Sequence, residues 1–105
     1  MDTRYLEYIL VLAETGNMTR ASEKLFISQP TLSQFLSKQE QEIGSPLFQR
    51  INGVYTLTPV GHLYAEYARK VLSLTNMLEK DVQRLSTTSR ISIGTSTSRA
   101  IQMIT

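Results

Sequence analysis

Apolar positions recur along this chain at helical spacing in four places, and one of the four helices so predicted shows a face unlike the rest. From Met18 to Ser37 the sequence MTRASEKLFISQPTLSQFLS predicts two short helices joined by a tight turn. In the first, Met18–Leu25, small Ala21 faces inward with Leu25 behind it. The second opens at Ser28, whose hydroxyl caps the free amides of the Gln29-Pro30-Thr31 turn, where proline costs no helical hydrogen bond. Leu32, Phe35, Leu36 and Ile43 then fall roughly on one face. The opposite face carries Gln29, Thr31, Ser33, Gln34, Ser37 and Lys38. An outer face of amides and hydroxyls suits the reading of base edges in a major groove, as a helix-turn-helix does. The segment alone is also compatible with an ordinary helical hairpin whose outside is polar.

Tyr5 to Thr15 is the preceding helix. Leu6, Ile9, Leu10 and Ala13 form one face, and Tyr5, Tyr8 and Leu12 another, so two partners should cover it. Gly16 supplies the left-handed residue that ends this helix, and Asn17 caps the next. Three helices with such short connections make a compact trihelical core.

Gly44 and Pro46 stop the second helix of the pair, and LFQRINGVYTL follows. Asn52-Gly53 between two β-prone runs predicts a tight hairpin, because both residues accept positive φ. A hairpin directly after a recognition helix is a wing, and its tip would bring Arg50 and Asn52 to a phosphate or the minor groove. A hairpin that merely closes the core explains Leu47, Phe48 and Leu57 but leaves Arg50 unaccounted for.

Thr58-Pro59 starts a further helix, with threonine as N-cap and proline as first helical residue. Val60, Tyr64, Tyr67, Val71, Leu74 and Leu78 alternate by four and three, a heptad seam. Beyond Leu78 the register slips, since Asp81 takes the next seam position and Val82 and Leu85 continue on a shifted stripe. A helix on the order of 40 Å long at ~1.5 Å per residue cannot bury that stripe in so small a domain, so the seam predicts pairing with a second copy, with the free side of the first helix, or with both. Ser86-Thr87-Thr88-Ser89 reads as a polar hinge, and Arg90 to Thr95 alternates as a strand does. Ser96 to Thr105 resembles a loop entering a helix. A lone strand is unstable, which makes the chain the front of a longer protein cut just inside a second domain.

Composition narrows the class. A hydrophobic content of 41% with 19% charged residues suits a soluble globular domain rather than a disordered one. No apolar run approaches the ~20 residues of a membrane span, the acidic start is no signal peptide, and zero cysteines exclude a disulfide frame; the expected place is inside a cell, the cytoplasm. The net charge of +2 is misleading. Residues 1–57 hold five basic side chains against six acidic ones, a balance of −1, and the basic excess sits at Arg69, Lys70, Lys80, Arg84, Arg90 and Arg99. An indiscriminate electrostatic DNA binder is therefore not indicated, and polar geometry has to carry the case. A winged-helix protein-interaction module that never touches DNA is the second reading, and this charge balance is its support. No enzyme is expected. The only histidine, His62, stands in the first turns of the long helix without a cysteine or carboxylate cluster, Glu40 and Glu42 point apart, and no metal site is indicated.

Together the motifs resemble the N-terminal part of LysR-type transcriptional regulators. The resemblance covers Met1 to about Leu85 and rests on Leu6-Glu7-Tyr8, Thr19–Leu25, Ser28–Ser33, Glu42-Ile43-Gly44, Pro46-Leu47-Phe48 with Arg50, and Leu57–Gly61. It implies a mainly α fold: a winged helix-turn-helix over 1–57 (helix-turn-helix 18–37), a linker and dimerisation helix with hinge over 58–87, and the start of a truncated effector-binding domain over 88–105. Sequence-specific regulation of transcription in a bacterium is implied with it, by a homodimer on double-stranded DNA. Tetramers and contact with RNA polymerase stay open for the full-length protein, and no membrane is involved. The resemblance implies no cofactor within this stretch and a small-molecule effector for the whole protein. The DNA-binding set is then Thr19, Arg20, Ser28, Gln29, Pro30, Thr31, Ser33, Gln34, Ser37, Lys38, Arg50 and Asn52, with Val60, Tyr64, Tyr67, Val71, Leu74 and Leu78 for dimerisation. Two departures bear on specificity: position 34, commonly arginine in the family, is glutamine, and the wing tip, often basic, is the uncharged Asn52-Gly53.

Overall fold

A computed structural model describes the backbone of residues 2–93 and the side chains of residues 2–86. The element order is α1 (Arg4–Thr15), α2 (Met18–Leu25), α3 (Gln29–Ile43), β1 (Phe48–Ile51), β2 (Val54–Leu57) and α4 (Pro59–Ile93). The chain divides into two units, Met1–Leu72 and Ser73–Thr105.

In the first unit, local chemistry sets the element ends as the sequence predicts. Gly16 turns left-handed at φ 66° and its N–H bonds to the Leu12 carbonyl. The Asn17 side chain then accepts from Arg20 N at 2.9 Å, starting α2. Gly44 ends α3 at φ 83°. Asn52 and Gly53, at φ 51° and 79°, form the two-residue turn of the β1–β2 hairpin. That turn fixes the antiparallel register, with Ile51 opposite Val54 and Arg50 opposite Tyr55. Thr58 does double work at the start of α4. Its hydroxyl donates to the Pro46 carbonyl at 2.7 Å and accepts from Gly61 N at 3.0 Å.

The core is built from Ile9 and Leu12 of α1, Met18 and Ala21 of α2, Leu32 and Leu36 of α3, and Leu47 and Phe48 leading into the hairpin. Phe35 lies between two tyrosines of α1, with ring centroids 4.5 Å from Tyr5 and 4.7 Å from Tyr8, both edge-on. The aromatic side of α1 is thus covered by α3. Ile43 departs from the expected inward face. It is 48% exposed, because α3 has by then run past the buried Leu32 and Leu36.

Residues 59–72 of α4 belong to the first unit and the remainder to the second. The polar break expected at Ser86–Ser89 does not occur, nor does the strand expected from Arg90: the helix continues through both to Ile93. The segment holds neither glycine nor proline, and serine and threonine cost only a few tenths of a kcal/mol each in a helix, so nothing there stops propagation. The rest of that strand and the segment Ser96–Thr105 lie outside the described residues. No helix among those described is long and apolar enough to cross a membrane.

Candidate nucleic-acid interface

The polar face of α3 is assembled from its first turn. Ser28 stays extended (φ −75°, ψ 153°), and its hydroxyl oxygen accepts from Thr31 N at 3.2 Å while contacting the Thr31 hydroxyl at 2.7 Å. With that turn capped and Pro30 inside it, Gln29, Pro30, Ser33, Gln34, Ser37 and Lys38 emerge as an exposed band, and Thr31 is half-buried at its edge. Among the described residues no side chain hydrogen-bonds Ser33, Gln34 or Ser37. These are amide and hydroxyl groups held on a rigid helix with their bonding capacity unspent.

Residues Thr19 and Arg20 come from α2 and are also exposed. The Thr19 hydroxyl donates to Gln29 Oε1 at 3.3 Å, tying the start of α2 to the start of α3. Gln29 keeps both amide hydrogens and a second oxygen lone pair, the pattern that pairs with the N6/N7 edge of adenine. Lys38 is less free. Its ammonium lies 5.7 Å from the Tyr5 ring centroid, and the neighbouring Tyr5 phenol, then the Glu42 carboxylate, hold its pKa above the ordinary value. The lysine serves α1 as well as the outer face.

Arg50 and Asn52 sit on the hairpin, apart from the α3 band. The Arg50 guanidinium stacks on Tyr55 at 4.2 Å and donates to the Gly53 carbonyl at 3.1 Å. Two anchors hold the hairpin. Tyr55 N donates to the Gly16 carbonyl at 3.0 Å. Glu40 Oε2 accepts from Leu47 N at 2.7 Å and from Phe48 N at 3.3 Å, fastening the far half of α3 to the root of β1. Glu40 and Tyr55 are the positioning residues that sequence reasoning missed. For Tyr55 a signal existed, since a two-residue turn at Asn52-Gly53 puts it opposite Arg50. For Glu40 none did, because the contact reaches from the last turn of α3 across the irregular residues 44–46 to Leu47.

The expected association face divides. Val60, Tyr67 and Val71 are exposed on the first unit's part of α4, and Leu74 and Leu78 on the second's. Tyr64 is not with them: it packs against the core and donates its hydroxyl to Gln39 Oε1 at 2.8 Å. Leu63, its neighbour, is 55% exposed beside Val60 and Tyr67. Met77, Val82 and Leu85 are exposed too. His62 is exposed, with its backbone N–H bonded to the Thr58 carbonyl. Among the described residues no cluster of three or more His, Cys, Asp or Glu could hold a metal ion.

A profile for bacterial regulatory helix-turn-helix proteins of the lysR family matches residues 3–62. The HTH-type transcriptional regulator BudR of Klebsiella aerogenes is 43% identical over 81 residues, covering 76% of this chain and 57% of that protein. The regulator BenM of Acinetobacter baylyi is 34% identical over 95 residues, 90% of this chain but 31% of that protein. Thus the chain spans about half the length of the first relative and under a third of the second. Among solved structures, the CbnR_DBD–DNA complex matches with a TM-score of 0.76 at 31% identity, covering 82% of this chain and 99% of that one. The BenM_DBD complex with catB site 1 DNA matches with the same TM-score at 34% identity, over 82% and 96%.

Proposed function

The chain belongs to the lysR family of bacterial regulatory helix-turn-helix proteins, and from that premise we propose how its own residues bind DNA. The start of α3 enters the major groove, with Gln29, Ser33 and Gln34 on base edges and Ser28, Thr31, Ser37 and Lys38 along the flanking phosphates. Thr19 and Arg20 meet the backbone from α2, and Arg50 with Asn52 from the wing. The observation that carries this reading is the exposed band on α3 in which Ser33, Gln34 and Ser37 have no side-chain hydrogen bond among the described residues. Its kinship with LysR-type DNA-binding domains solved on DNA supports the same placement.

A second copy, joined through α4, would set two recognition helices about 34 Å apart, so the site is an interrupted inverted repeat. Residues 1–57 then act as the DNA-binding part and α4 as the association helix. Residues 88–105 lead toward an effector domain of a longer, cytoplasmic regulator that answers to a small molecule.

Selection of bound duplexes from a random pool with the purified chain tests the reading. Two half-sites in inverted repeat should be enriched. Alanine at Gln29, Ser33 or Gln34 should each weaken binding to the enriched duplex about tenfold or more, a bidentate base contact being worth roughly 1–3 kcal/mol, while the melting temperature holds. Few cations face the DNA, so log K should fall with log salt less steeply than a slope of about −10. A pool that shows no enrichment overturns it in favour of an interaction module, and a footprint on one half-site overturns the inverted repeat.

A further inference from the structure

From Leu47 to Leu57 the wing holds one charged side chain, Arg50. A lone exposed arginine normally samples many rotamers, yet this one is held twice, by the Tyr55 ring at 4.2 Å and by the Gly53 carbonyl at 3.1 Å. The ring beneath it is itself fixed. Tyr55 is half-buried, packs edge-on to Phe48 with centroids 6.2 Å apart, and bonds through its backbone N–H to Gly16. The guanidinium is therefore referenced to the trihelical core rather than to the solvent. Of its five N–H donors one is spent on Gly53, and the other four have no partner among the described residues.

We propose that Tyr55 is a positioning residue for DNA recognition: its ring holds the Arg50 guanidinium so that the free N–H edge meets a backbone phosphate of the bound duplex. The inference rests on the DNA-binding reading above. In a wing whose tip, Asn52-Gly53, carries no charge, the phosphate contact falls to one cation, and stacking sets its orientation before the DNA arrives. Leucine at position 55 would fill the same half-buried space without offering a face to stack on. Phenylalanine would keep the face.

A double-mutant cycle on the duplex enriched by the wild-type chain tests this. Arg50→Ala should weaken binding about tenfold and make the slope of log K against log salt shallower by about 1, as loss of one phosphate contact does. Tyr55→Leu should weaken binding about three- to fivefold, because a loosened arginine still reaches the phosphate part of the time. The double variant should match Arg50→Ala within about 1.5-fold, and Tyr55→Phe should match the wild type. If Tyr55→Leu fails to fold, Arg50→Lys keeps the charge while losing the planar fork, and should give a similar three- to fivefold loss with an unchanged salt slope. Additive losses in the cycle, a Tyr55→Phe chain as weak as Tyr55→Leu, or tighter binding by Tyr55→Leu would overturn the proposal, the last by showing that the ring sequesters Arg50. If the wild type enriches no duplex at all, the DNA-binding reading fails and takes this inference with it. If the wild type binds but the two positions do not couple, only the inference falls.

Discussion

The first two turns and more of α4 carry two faces, and their sizes are the reverse of what burial leads one to expect. The face turned to its own unit is lined by small residues, Gly61, Ala65 and Ala68, all buried. The face beside it holds Val60, Leu63, Tyr67 and Val71, large and exposed. The helix therefore docks by letting backbone approach backbone, and keeps its bulky apolar side chains for something else. Methyl-rich side chains left in water at helical spacing cost solvation and serve solubility poorly, whereas against a second helix each would be buried. The contrast with the exposed band of α3 is chemical. That band is hydroxyl and amide, suited to a wet partner; the α4 face is valine, leucine and tyrosine, suited to a dry one.

Gly61→Ala should break the inner face most severely. A Cβ built at Gly61 overlaps the Leu47 carbonyl oxygen and stands 2.9 Å from Leu57 Cδ2. In an open helix the same change would gain close to 1 kcal/mol in propensity. Here the obstacle is a backbone carbonyl at the root of the wing, which also receives Thr58 N at 3.0 Å, so it cannot swing aside cheaply. A net loss of about 2–3 kcal/mol is expected, read by denaturant unfolding as a lower midpoint. A stability equal to or above the wild type would show that the two segments separate without cost.

Leu63→Glu tests the outer face with the opposite signature. Leucine and glutamate have similar helix propensity and the residue is more than half exposed, so the single chain's own stability should move by no more than about 0.5 kcal/mol. Self-association should weaken by about thirtyfold or more, measured by sedimentation equilibrium, because a carboxylate would be carried into an apolar contact. A wild-type chain that stays monomeric at high concentration would remove the basis of the comparison.

How far these faces could be read from residue order differs by the range of the chemistry involved. Caps and turns act within four residues, and Gly16, Asn17, Ser28, Gly44, Asn52-Gly53 and Thr58-Pro59 all do in the fold what their local chemistry dictates. The exposed polar band of α3 was legible as the complement of Leu32, Phe35 and Leu36. Tyr64, placed on the seam by its spacing, packs on the core instead, because a periodicity count follows bulk and the buried side of α4 is marked by absence of bulk at positions 61, 65 and 68. The hinge at Ser86–Ser89 failed because serine and threonine weaken a helix without breaking it. The Glu40 anchor depends on where the loop amides of Leu47 and Phe48 come to rest, which only the assembled fold decides.

Tyr64, on the boundary between the two faces, gives the finest test. Its ring packs on the core and its hydroxyl donates to Gln39 Oε1, while Gln39 Nε2 donates to Glu42 Oε1 at 3.1 Å. Tyr64→Phe keeps the ring and removes one hydrogen bond, so the chain should lose about 1 kcal/mol with self-association unchanged. Alkaline pH sharpens the assignment. Burial, and then the Glu42 charge, raise the phenol's pKa above its usual 10.0. The folded chain thus holds its proton where the unfolded chain releases it, which makes this contribution full below pH 10 and lost as pH rises through the folded value. Phenylalanine does not titrate, so the gap between wild type and variant should close above pH 10 and can reverse. A gap that stays constant up to pH 11 would place Tyr64 in water, on the outer face after all.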